Sequence, residues 1–119
     1  MGFCWCTIKV KDMEESLDFY TDIVGLDIER RFEAGPDKEI VFLGSGETKI
    51  ELMSGNSTVE NISTDISLGF TVDSVKRKME FLQGRGIEVI EGPFKPNPSI
   101  EFFYISDPNG LKIQFVENL

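Results

Sequence analysis

A chain of 119 residues is long enough to bury about two thirds of its unfolded surface in one domain, and too short for two independent ones. Its 40% hydrophobic and 28% charged residues, with ten Phe, are those of an ordinary globular protein, and no run approaches the ~18 apolar residues of a membrane-spanning helix. A net charge of −9 without a basic stripe repels phosphate backbones and anionic lipid, so neither nucleic acid nor a membrane is an expected partner.

The acidic excess is read first as serving solubility, with a preference for a cationic ligand as the alternative. No basic region followed by an apolar stretch opens the sequence, so a cytoplasmic location is expected, and the sequons at Asn56 and Asn61 would then go unused. Residues 3–10 alternate as a strand, with Cys4, Cys6, Ile8 and Val10 on one face and Trp5, Thr7 and Lys9 on the other. The thiols share the apolar face, so buried free cysteines are expected; Cys-x-Cys in a chain without His is a poor metal site.

Asp12 with Glu15 three residues on forms a capping-box pattern that opens a helix, and Gly25 ends it. Met13, Leu17, Tyr20 and Val24 form its apolar stripe. Strands are predicted over 26–32, 39–43 and 47–53, turning at residues 34–37 and 44–46. The aperiodic polar stretch 55–64 reads as a linker between module one, 1–54, and module two, 65–119. The pattern then restarts: a strand over 66–72, and a helix capped by Asp73 with the stripe Val75, Met79 and Leu82, closed at Gly84-Arg85-Gly86. A strand over 87–91, a Pro-rich loop over 92–99 and a strand over 100–105 follow, and the turn Asp107-Pro108-Asn109-Gly110 leads into a last strand over 111–116.

Laid on itself at an offset of 62, the chain matches Val10 to Val72, Leu17 to Met79 and Trp5 to Ser67; at 63, Lys49 meets Lys112 and Glu51 meets Gln114. The order βαβββ thus occurs twice, a suspected tandem duplication. One helix covers one face of each four-stranded sheet, and the other face is where a ligand belongs. That face collects Trp5, Thr7, Lys9, Lys49, Glu51, Met53, Ser67, Gly69, Thr71, Lys112, Gln114 and Val116. One large aromatic, one carboxylate and several small polar groups suit an organic molecule better than a metal. The structural alternative puts Trp5 in a dimer interface and pairs Glu51 with Lys49 or Lys112.

The opening strand running into Val10-Lys11-Asp12-Met13-Glu14-Glu15-Ser16-Leu17-Asp18-Phe19-Tyr20, the Val24-Gly25-Leu26 and Lys49-Ile50-Glu51-Leu52 segments, and the stretch from Asp107 to Ile113 together resemble the vicinal-oxygen-chelate superfamily. That superfamily includes glyoxalases, bleomycin-resistance proteins and extradiol dioxygenases. The resemblance implies an α+β fold of two tandem βαβββ modules forming a cupped mixed sheet, commonly completed by a second chain. Its enzymes hold a divalent metal with His and Glu at places that fall here on Trp5, Glu51, Ser67 and Gln114. Trp5 has no lone pair to offer through its indole N–H, Ser67 is a poor neutral donor, Gln114 is a possible one, and Glu51 alone is a good ligand. The expectation is therefore a small-molecule-binding homodimer with no metal and no cofactor, contacting its ligand through Trp5, Thr7, Lys9, Glu51, Ser67, Thr71 and Gln114. The alternatives are a glyoxalase-like lyase or isomerase using Glu51 as catalytic group in an atypical metal site, and a purely structural dimerisation module.

Overall fold

The computed structural model describes residues 1–55 and 65–119, and the sequons and all but the first residue of the expected linker lie outside them. The chain divides into two compact units, Met1–Asn61 and Ile62–Leu119. Each repeats the order βαβββ, so the α+β fold of two tandem modules is established. No helix among the described residues is long and apolar enough to cross a membrane.

The first unit contains β1 (Trp5–Lys9), α1 (Met13–Asp18), β2 (Ile28–Glu33), β3 (Glu39–Leu43) and β4 (Lys49–Ser54). Its sheet runs β1-β4-β3-β2, with β1 parallel to β4 and the other pairs antiparallel. Asp12 caps α1 by accepting from the Glu15 N–H at 3.1 Å. Past Asp18 the helix widens into a π-helical turn, Phe19–Ile23, before Gly25 at φ +93° releases the chain. The wider turn brings Phe19 and Ile23 into the core beside the predicted Met13, Leu17 and Tyr20, against Ile8, Val10, Val41, Leu43 and Leu52.

The second unit contains β5 (Ser67–Thr71), α2 (Val75–Gly84), β6 (Glu91–Asn97), β7 (Ile100–Ser106) and β8 (Lys112–Asn118), ordered β5-β8-β7-β6. Its core is Val75 and Leu82 of α2 on Phe103, Ile105, Ile113 and Phe115. The turn before β8 is held by Asp107, whose carboxylate accepts from the N–H groups of Asn109 and Leu111, each at 2.8 Å.

Three expectations are corrected. Cys4 is exposed and Cys6 half-buried, because β1 is an edge strand whose covered part begins only at Ile8. Ser74, not Asp73, caps α2, accepting from the Arg77 N–H at 3.1 Å; a cap reaches the N–H two or three residues on, and Arg77 lies four beyond Asp73. The second strand of module two is Glu91–Asn97 rather than 87–91, and it lies where a Pro-rich loop was expected. Pro93 and Pro96 are tolerated there because β6 is an edge whose pairing jumps from Glu91↔Tyr104 to Phe94↔Phe102 to Asn97↔Ile100, so neither proline is a register partner.

Candidate functional site

Each unit leaves one sheet face without a helix, and cross-strand register decides which side chains meet there. In the first unit Thr7 is paired with Glu51, Glu51 with Phe42, and Phe42 with Arg30, which makes one row across four strands. Glu51 is 7% exposed, and its carboxylate accepts a hydrogen bond from the Thr7 hydroxyl. Lys49 instead pairs with Glu29 at 2.7 Å, and Lys112 with Glu91 at 3.1 Å. The structural alternative, in which Glu51 pairs with either lysine, thus gives way to a neutral donor directly across the parallel ladder.

Trp5, 49% exposed, packs edge-on against Phe42 with centroids 5.3 Å apart, and Phe42 stacks on Phe32 at 6.4 Å. The Arg30 guanidinium lies 4.5 Å from the Phe42 centroid and 5.4 Å from that of Phe32. Such cation–aromatic contacts hold the planar group flat while its N–H edges stay available. Trp5, Phe42, Arg30, Lys49, Phe3 and Cys4 line an open cavity of about 340 Å³. Glu51 stands beside Phe42 but does not line this cavity, and Lys9 is exposed opposite Met53, also outside it.

The equivalent row of the second unit is Gly69, Gln114 and Tyr104, with Glu91 on β6. Gln114 donates to the Tyr104 hydroxyl at 3.3 Å, and Lys112 sits 4.4 Å from the Tyr104 ring. Ser67 and Thr71 are exposed at the two ends of β5, on the same face. Arg30, Phe32, Phe42 and Tyr104 are missing from the sequence-based set, which was drawn from the outer and last strands of each module. The signal was present: Arg30 and Phe32 are two apart on β2, and alternation puts them on one face.

An α+β protein of two βαβββ units, each presenting an open sheet face with a polar residue on its fourth strand, is thereby defined. The chain belongs to the Glyoxalase/Bleomycin resistance protein/Dioxygenase superfamily, whose model matches residues 2–115. It is 30% identical over 120 residues to a lactoylglutathione lyase of Haemophilus influenzae, covering 93% of this chain and 88% of that one. Among solved structures it resembles a glyoxalase/bleomycin resistance protein from a Streptomyces species, with TM-score 0.71, 26% identity, and 98% and 99% of the two chains covered. The trypanothione-dependent glyoxalase I of Leishmania major superposes with TM-score 0.84 at 21% identity, over 98% of this chain and 86% of that one.

The kinship with lactoylglutathione lyases overturns the expectation of no cofactor, because those relatives are metal-dependent glyoxalase I enzymes. The side chains at the places that the sequence resemblance assigns to the family's metal nevertheless differ in donor chemistry. Glu51 supplies a carboxylate already engaged by Thr7, Gln114 a carboxamide, Ser67 a neutral hydroxyl, and Trp5 no lone pair. This set does not fit the His and Glu donors of the family's metal centre.

Proposed function

We propose that the chain is a cytoplasmic small-molecule-binding member of the superfamily that works as a homodimer and takes a flat organic ligand against the open face of its first sheet. The observation that carries this reading is the cluster of Trp5, Phe42 and Arg30 around one cavity. Aromatic rings supply a stacking surface at little entropic cost, and the pinned guanidinium supplies directional donors. Thr7, Lys9 and Glu51 continue the face beyond the cavity, and Ser67, Thr71 and Gln114 provide its counterpart on the second sheet. The dimer is supported by the edge strand β2, which presents the apolar side chains of Ile28 and Phe32 to solvent.

Titration of the full chain with a library of aromatic acids and amides, followed by the fluorescence of its single tryptophan, tests the ligand reading. Binding that shifts Trp5 emission and is lost in Trp5→Ala supports it; a library without a single saturable hit counts against it. Light scattering at micromolar concentration tests the dimer, and a monomer mass removes it. A second reading, a glyoxalase-like lyase or isomerase acting through Glu51, is favoured by the identity to lactoylglutathione lyases. Conversion of the methylglyoxal–glutathione hemithioacetal with added divalent metal, lost in Glu51→Gln, would establish it in place of the first.

A further inference from the structure

The second unit carries a larger cavity on the opposite, helix-bearing side of its sheet, and its origin is geometric. α2 has ten residues, a rod about 15 Å long and 10 Å across, and it lies over β7 and β8. Four strands at about 4.8 Å spacing make a sheet wider than one such rod can cover. The flank towards β6 stays open, and residues 87–89, which connect α2 to β6, form its wall. The space between is about 700 Å³, lined on its apolar side by Val75, Met79, Ile87, Val89 and Pro93. Met79, placed on the core stripe of α2 by its spacing, is only half-buried because no described residue fills this gap.

The charges around the cavity are unbalanced. The carboxylates of Glu80, Glu88 and Glu101 border it, and none of the three makes an ion pair or side-chain hydrogen bond with the described residues. Glu117, the cross-strand partner of Glu101, adds a fourth carboxylate, which accepts from the Val75 N–H at 2.7 Å. One ammonium, that of exposed Lys76, stands at the rim. An apolar surface ringed by unneutralised carboxylates complements an amphiphilic cation, and the low dielectric of the cavity wall strengthens that attraction.

We propose that this cavity is a second binding site, for an organic cation with an apolar body. The hydrophobic part packs on Val75, Met79, Ile87, Val89 and Pro93, where the unbranched Met79 adjusts to its shape. The ammonium lies among Glu80, Glu88 and Glu101.

The test compares 1-naphthylmethylammonium, the neutral 1-naphthylmethanol and the anionic 1-naphthylacetate as probes of the full chain, by calorimetry and backbone amide chemical shifts. The ammonium should bind about tenfold tighter than the alcohol, with the acetate weakest, and shifts should gather at Val75, Met79, Ile87 and Val89. The triple variant E80Q/E88Q/E101Q should equalise ammonium and alcohol while leaving alcohol affinity unchanged, and Trp5→Ala should alter neither. Equal affinity of the three probes, no binding, a preference that survives the triple variant, or shifts centred on Trp5 and Arg30 would each overturn the proposal. So would a dimer mass that Met79→Glu reduces to that of a monomer, since a second copy would then occupy the groove.

Discussion

The Thr7 hydroxyl donates to the Glu51 carboxylate, and the two residues are register partners across the parallel β1–β4 pair. At the same place in the second unit stand Gly69 and Gln114, and a Cβ on Gly69 would lie 3.2 Å from Gln114 Oε1. One module satisfies a carboxylate with a side-chain donor from the neighbouring strand. The other makes room for a carboxamide by omitting that side chain.

Replacing Thr7 by Val keeps its shape and removes the donor, which leaves a buried carboxylate short of a hydrogen bond. The expected loss of stability is about 1–3 kcal/mol. Thr7→Ser, which keeps the hydroxyl, should recover most of it. Urea unfolding of the three proteins is the check, and a Val variant as stable as the parent would show that water serves Glu51 equally well.

Gly69 is predicted to be coupled to Gln114. Adding a methyl group restricts the unfolded chain and should stabilise a strand by about 0.5–1 kcal/mol where the site is free. At 3.2 Å the Gln114 side chain must give way, which strains its bond to Tyr104. Gly69→Ala should therefore stabilise the Gln114→Ala protein and fail to stabilise the parent. A double-mutant cycle with no coupling above experimental error would separate the two residues.

The register of β1 was legible because alternation is unambiguous once Ile8 and Val10 are assigned to the core: Trp5, Thr7 and Lys9 can only lie opposite. The repeat was legible for the same reason, and the ladders carry it, since Trp5↔Lys49 recurs as Ser67↔Lys112. Cys4 was misread because alternation says which face a residue takes and not how far the helix cover extends. β6 was hidden by Pro93 and Pro96, which break the pattern of a central strand yet are harmless on an edge that pairs at every third residue. Arg30 was overlooked because a cation between Glu29 and Arg31 on an exposed strand reads as solvated surface. Only the pairing with Phe42 on a neighbouring strand reveals its place over the aromatic rings.

The cap of α2 gives a direct test of local chemistry. Ser74→Ala should cost about 1 kcal/mol, the worth of an N-cap hydrogen bond, whereas Asp73→Ala should change stability by a few tenths. Thermal unfolding of both variants distinguishes them. The reverse order would return the cap to Asp73.

The ligand reading makes its sharpest prediction at Trp5 and Arg30 together. An aromatic ligand stacked on Trp5 loses about 1.4 kcal/mol in Trp5→Ala, a tenfold fall in affinity, because a ring contact of this kind carries about 0.5–1.5 kcal/mol beyond its buried area. Arg30→Gln should weaken an anionic ligand more than a neutral one of the same outline, since only the former loses a charge-assisted hydrogen bond. Arg30→Lys should recover little, because an ammonium cannot lie flat on Phe42 and present a fork of donors at the same time. Tryptophan fluorescence reads binding in the Arg30 variants and calorimetry reads it in Trp5→Ala. If Trp5→Ala instead dissociates a dimer while each folded subunit binds as before, Trp5 belongs to an interface and the ligand lies elsewhere on the sheet.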